Sequence, residues 1–150
     1  IRDRAIAAFS ASDKKWILDL LSDADLPVED LNDEKLKNFL IAKDTDRSVL
    51  GVVGIEMLGE NGLLRSLTVH PSFRGNGLGH LLTRTIESFA RQNGVRTLYL
   101  LTMTAAEFFA KLGYEVTRRD KVPEPIRETE EFQNVCPVSA VCLLKVLGVK

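Results

Sequence analysis

The stretch VHPSFRGNGLGHLL, residues 69–82, joins an apolar run of strand character to an apolar run of helical periodicity through a loop with three glycines in five positions. Glycine accepts positive φ and places no side chain between its backbone and a ligand. Gly75, Gly77 and Gly79 therefore let successive amides point into one small concavity. The helix that starts there adds amides without intrahelical acceptors and the positive end of its dipole. Strand, loop and helix together suit an anion such as phosphate or pyrophosphate, the alternative being a glycine-rich turn with no ligand. Two common phosphate loops are excluded by spacing. A P-loop needs GxxxxGK[ST], and no lysine follows these glycines. The dinucleotide fingerprint needs GxGxxG, whereas the glycines here fall as GxGxG.

The rest of the chain limits what can surround this loop. At 150 residues, 45% hydrophobic and 27% charged, residues 1–150 are expected to form one domain with a real core. A formal charge of -1 gives no net field to gather nucleic acid or an anionic membrane. No apolar run approaches the roughly 18 residues that span a bilayer. The first residues carry no basic-then-apolar secretion signal, and opening on Ile1 leaves room for a short leader. Cys136 and Cys142 fall in no CxxC or CxxH pairing, so no metal site is expected and they read as reduced thiols of a cytoplasmic protein.

Periodicity orders the elements. Trp16, Ile17, Leu20 and Leu21 give an amphipathic helix over 13–22, with Ser12 or Ser10 as cap and Pro27 as stop. A shorter helix over 33–38 runs into the strand FLIAKD, a turn at 46–48 follows, and VLGVVGIEML is a second strand. LLRSLTV, 63–69, is the third, and the glycine loop leads into a helix over about 77–93 that Gly94 terminates. RTLYLLTM is apolar on both faces, as at a sheet centre. Then come the short helix AAEFFAKLG, the strand YEVTRR, a charged loop with one helical turn over 120–137, and the strand VSAVCLLKVL. The class is α/β with a mixed sheet.

Arg74-x-x-Gly77-x-Gly79 after VHP, together with this element order over nearly the whole chain, resembles the GCN5-related N-acetyltransferase (GNAT) family. The resemblance implies a mixed, mostly antiparallel central sheet flanked by helices and splayed at the acetyl-CoA site. It implies acetyl-CoA (coenzyme A) as cofactor, with Arg74, Gly75, Asn76, Gly77, Leu78 and Gly79 as the pyrophosphate loop and His80 opening the helix. Backbone of Leu67, Thr68 and Val69 would pair with the pantetheine arm and supply the oxyanion donor. Arg74 would donate to phosphate directly or cap the loop from outside. His70 reads as structural within VHP.

Acetyl transfer to an amine needs a deprotonated amine, a stabilised oxyanion and a proton for the departing thiolate. The family often supplies the last from a tyrosine in N-x-x-A-x-x-[LF]-Y-x-x-x-G-[FY]. Here those positions hold Thr102, Ala105, Phe108, Phe109, Gly113 and Tyr114, so the usual tyrosine is Phe109 and cannot donate. Tyr114, five residues on, is a packing aromatic in that pattern and the remaining tyrosine candidate for the acid. Delivery by water or by the attacking ammonium is the leading expectation. Thr102 could order a water or bond the pantetheine.

Glu56, a lone acid in an apolar strand, is the candidate base, with an ordinary strand-end residue as the alternative. Arg65 and Ser66 interrupt LLRSLTV. A cation there either pairs with an acid such as Glu56 or meets an anionic group of the substrate, and the second is the reading taken.

The tail PEPIRETEEFQNVCPVSA resembles the IRxTxEFxxxCPxSA pattern of the arsenic-resistance N-acetyltransferase subgroup. N-acetylglutamate synthase catalytic domains are a weaker resemblance. These imply a small-molecule amine acceptor, an amino acid or acidic analogue, with Arg65, Ser66, Arg127 and Thr129 toward its acidic groups. A peptide acetyltransferase and a non-catalytic coenzyme A-binding module stay open as alternatives. The apolar VCLLKVLGV is compatible with a homodimer or with an exposed edge strand.

Overall fold

Among the described residues seven strands form the frame, in the order β1-β2-β3-β4-β5-β7-β6. They are β1 (Ala5–Ala8), β2 (Phe39–Lys43), β3 (Val49–Leu58), β4 (Asn61–Val69), β5 (Thr97–Thr102), β6 (Glu115–Thr117) and β7 (Val141–Val146). The computed structural model describes residues 5–46, 48–135 and 139–148, so Cys136, expected as a reduced thiol, lies outside the described residues. The helices are α1 (Lys14–Asp23), α2 (Asp33–Leu36), α3 (Leu78–Gln92), α4 (Ala106–Lys111) and α5 (Glu124–Arg127). β4 and β5 run parallel, while β1/β2, β2/β3, β5/β7 and β6/β7 are antiparallel. The parallel ladder is short, from Asn61–Thr97 to Leu63–Tyr99, although β4 continues to Val69 and β5 to Thr102.

The chain groups into two compact units, one of Ile1–Ile55 with Ser66–Ile86 and one of Glu56–Arg65 with Glu87–Lys150. In the first, Ile17, Leu20 and Leu21 of α1 bury with Leu36, Phe39, Ile41 and Val52. Trp16, expected on that face, is 64% exposed, because a turn at 3.6 residues carries it to the rim of the stripe. Gly54 faces Phe39 in the β2/β3 register, where a Cβ would lie 2.3 Å from the Phe39 ring. Glycine there is a close-approach requirement.

Neither expected serine caps α1. Ser10 and Ser12 bond each other at 2.9 Å, and the cap position is Asp13, whose carboxylate pairs with Lys43 at 3.0 Å. The helix stops before Pro27. Asp25 turns to φ 60, Leu26 N donates to Leu21 O and Asp25 N to Ser22 O, a Schellman ending that satisfies the last carbonyls.

In the second unit the tail is more ordered than the charged loop expected for 120–137. Arg119–Lys121 is a 3₁₀ turn, α5 is helical, and Glu131–Val135 is a π turn. Val122, Ile126 and Phe132 anchor it against Leu63, Tyr99 and Cys142. Burying a phenylalanine in this way contributes about 2–3 kcal/mol, enough to hold a segment rich in charge. β7 lies between β5 and β6 in the sheet, which corrects the edge-strand reading of VCLLKVLGV. β1 was not expected at all, since AIAA is too short to show alternation.

Candidate active site

In the first unit, β4 delivers the chain to the glycine loop. His70 N donates to Leu50 O at 2.7 Å, and His70 Nδ1 accepts from Ser72 N at 3.1 Å. The imidazole thus caps the 3₁₀ turn Pro71–Phe73, a structural role that follows from its position in VHP. Arg74 Nε donates to Val69 O at 3.1 Å and Asn76 Nδ2 to Phe73 O at 3.3 Å, closing the loop on itself. Gly75 and Gly77 take φ 86 and 79, the left-handed region that side chains resist. Gly79 is the second residue of α3 and has no positive φ, so only two of the three glycines serve the turn.

The first intrahelical bond of α3 is Leu81 N to Gly77 O at 3.0 Å. Helix geometry therefore leaves the amides of Leu78, Gly79 and His80 without acceptors four residues back. A Cβ at Gly75 or Gly77 would meet nothing within 4 Å, so the space beside both glycines is open. These features fit a coenzyme A pyrophosphate. Leu67 and Val69 are half-buried and Thr68 is buried; the Val69 carbonyl is already taken by Arg74. Ser66 sits at φ 61 inside β4, a left-handed residue that interrupts the strand's alternation.

In the second unit, Arg65 is wholly buried and holds two carboxylates. Its Nη1 donates to Glu56 Oε2 at 2.7 Å, and its Nε lies 3.3 Å from Glu131 Oε1. The side chains of Glu56 and Glu131 are 13% and 4% exposed. A guanidinium fork suits two acceptors at once, and its burial is tolerable because it is paired. This corrects the reading of Arg65 as a substrate contact: its charge is spent on protein carboxylates. Glu131 is a member of the cluster that sequence reasoning missed. It lay within the quoted tail pattern, but nothing in a linear pattern tells which distant cation a glutamate will meet.

Tyr114 is buried, its hydroxyl donating to Glu87 Oε2 at 2.8 Å and its ring edge-on to Phe109 at 5.4 Å. Lys145 Nζ contacts both Glu87 oxygens at 3.1 Å and donates to Leu112 O at 2.8 Å. The hydroxyl is thus part of a second charged network and its proton is committed there, which corrects the acid reading in favour of packing. Thr102 Oγ1 accepts from Ala105 N at 3.0 Å, fixing the turn before α4. Thr129 is likewise engaged locally: Oγ1 donates to Ile126 O at 2.7 Å and accepts from Phe132 N, which shapes the tail. Arg127 is exposed, with Nε donating to Val122 O at 2.9 Å. Cys142 is buried, and desolvation pushes its thiol pKa up to about 11 against the opposing charge of Arg119.

A sequence model of the acetyltransferase (GNAT) domain matches residues 35–116, more than half of the chain. The chain belongs to the GNAT acetyltransferase family. It accordingly carries the acetyltransferase domain of that family, whose cosubstrate is acetyl-CoA. An amino-acid acetyltransferase of Pseudomonas syringae pv. tomato is 36% identical over 49% of this GNAT chain and 17% of its own length. The chain thus spans about a sixth of that relative. An uncharacterised Bacillus subtilis protein is 27% identical over 75% of this chain and 76% of its own. Among solved structures, N-acetylglutamate synthase from Neisseria gonorrhoeae, complexed with coenzyme A and N-acetyl-glutamate, superposes with a TM-score of 0.84 at 21% identity. That match covers 97% of this chain and 35% of the other. A Mycobacterium tuberculosis protein in complex with coenzyme A gives a TM-score of 0.76 at 20% identity, over 95% of this chain and 98% of its own. At these identities the likeness is one of GNAT fold. Among the described residues no helix is long and apolar enough to cross a membrane.

Proposed function

We propose that this chain, as a single acetyltransferase domain, moves the acetyl group of acetyl-CoA to the primary amine of a small molecule, an amino acid or an acidic amino-acid analogue. The observation that carries the reading is the Arg74–His80 loop, with two left-handed glycines and the unbonded first amides of α3. Arg74, Gly75, Asn76, Gly77, Leu78, Gly79 and His80 are the proposed pyrophosphate contacts, largely through backbone. Main-chain groups of Leu67, Thr68 and Val69, with Thr102, are proposed for the pantetheine arm. Acetyl-CoA supplies an activated thioester. Glu56 is the proposed base: its carboxylate takes the proton that the amine loses as the N–C bond forms and the C–S bond breaks. No tyrosine is proposed as acid, because Phe109 stands at the usual position and Tyr114 donates to Glu87. Water gives a proton to the leaving thiolate and regains one from the protonated Glu56, which restores the carboxylate.

Relatives named amino-acid acetyltransferase support an amino-acid acceptor. The tail pattern supports a narrower reading within the arsenic-resistance N-acetyltransferases, whose neighbours modify amino-acid analogues bearing a phosphinate or arsenate-like acid. Arg127 is the proposed contact for that acid, through nitrogens other than the Nε bonded to Val122. A cytoplasmic location belongs to the same reading. Phe109 favours one second reading, a coenzyme A-binding module without turnover. Thiol release from acetyl-CoA over a panel of amines separates them. Turnover with acidic amino acids and their phosphinate or arsenical analogues is expected; turnover with peptides alone, or binding without turnover, overturns the proposal.

A further inference from the structure

The tail bears on the β3–β4 hairpin through one contact whose chemistry is more than packing. Glu56, near the end of β3, accepts from Arg65 Nη1 at 2.7 Å. Arg65 has no exposed side-chain surface, so its orientation is set by the groups around it rather than by solvent. One of these is Glu131, 3.3 Å from Nε and itself nearly fully buried. Glu131 in turn is held by a folded segment. Thr129 Oγ1 bonds Ile126 O and Phe132 N, Gln133 Nε2 donates to Arg127 O, and Phe132 lies in the core with Leu63, Tyr99 and Cys142. The fork of a guanidinium is rigid, so a carboxylate on its Nε edge fixes the direction in which Nη1 points.

We infer that Glu131 is a positioning residue for the transfer reaction: through Arg65 it sets the place of the Glu56 carboxylate, and thereby makes the tail part of the catalytic apparatus. The inference rests on the reading of Glu56 as base. It also gives the tail's order a purpose that packing alone does not supply. A carboxylate displaced by an ångström from its working position loses about a hundredfold in rate, so a relay of this kind carries a measurable share of turnover.

The test is a double-mutant cycle on the full chain with an amine the enzyme turns over. Glu131→Gln keeps the shape and removes the charge; with circular dichroism unchanged, kcat should fall about tenfold or more while KM for acetyl-CoA stays the same. The Arg65 Nε–H resonance, assigned by its loss in Arg65→Lys, should move in the same variant. The decisive reading is Glu56→Gln with Glu131→Gln. A residue acting only through Glu56 adds nothing once Glu56 is gone, so the double variant should be no slower than Glu56→Gln alone. If the two losses multiply, or if Glu131→Gln keeps wild-type kcat while Glu56→Gln is slow, the inference falls and the base reading stands. Glu56→Gln at wild-type speed removes the base reading and the inference with it. Should Glu131→Gln fail to fold, Glu131→Asp serves the same cycle, with the same outcomes deciding.

Discussion

The glycine loop and the Glu56–Arg65–Glu131 cluster are built by opposite means. The loop is exposed and made of backbone, and its parts follow one another in the chain. The cluster is buried and made of side chains, and its third member comes from a distant segment. The loop should therefore resist changes of side chain and fail when φ is altered, whereas the cluster should fail when a single charge is removed.

The largest effect expected is at the cluster. Arg65→Ala leaves two carboxylates without their shared guanidinium, and breaking a buried pair in this way destabilises by about 3–5 kcal/mol. Urea unfolding reads this directly. Arg74→Ala, in the exposed loop, should move the same midpoint by less than about 1 kcal/mol. Lys145→Ala supplies the control, since it strips the cation from buried Glu87 and should lose stability of similar size. Comparable midpoints for Arg65→Ala and Arg74→Ala would abolish the contrast.

The second effect separates two uses of glycine. Gly77→Val forces a β-branched residue to φ 79, costing roughly 1–3 kcal/mol, and it disturbs the amides proposed to hold the pyrophosphate. Calorimetry should show coenzyme A binding weakened about tenfold or more, since roughly 1.4 kcal/mol of lost binding is a factor of ten. Gly54→Ala places a Cβ 2.3 Å from the Phe39 ring and should lose about 1–3 kcal/mol of stability by overpacking. Its affinity for coenzyme A should stay unchanged. A Gly77→Val variant that binds coenzyme A normally would mean that the loop does not use its backbone as described.

This difference in construction also explains what could be read in advance. Residues 74–80 stand out because two glycines that φ demands and the helix they start are consecutive, so a local pattern carries the whole of the proposed site. Most strands and helices were legible for the same reason, each carrying its own periodicity; Val49–Leu58 agrees end to end. What escaped were features settled by partners. Arg65 was read toward a substrate because its second carboxylate belongs to the tail, and Tyr114 toward catalysis because Glu87 and Lys145 are far from it in sequence. The tail itself looked like a loop, since its charges mask the three apolar anchors Val122, Ile126 and Phe132.

The smallest effect tests how dry the core beside the cluster is. Cys142 packs with Leu63, two residues before Arg65 on β4, and burial raises its thiol from an ordinary 9.0 to about 11. Tyr99 in the same core is raised by burial first and by the charge of Cys142 second. The unfolded chain releases the thiol proton near pH 9 and the folded chain only near 11, so between them the folded state holds more protons. Stability from this group is complete below about pH 9 and is lost as pH rises through that window, with Tyr99 acting in the same direction. Urea midpoints in a Cys136→Ser background should fall across the window, and less steeply once Cys142→Ala is added. In the same background iodoacetamide should leave the folded chain unlabelled near neutral pH and label it on unfolding. Rapid labelling of the folded chain would mean that solvent reaches the core behind Arg65, and the guanidinium and its two carboxylates would then be no more sheltered than the loop.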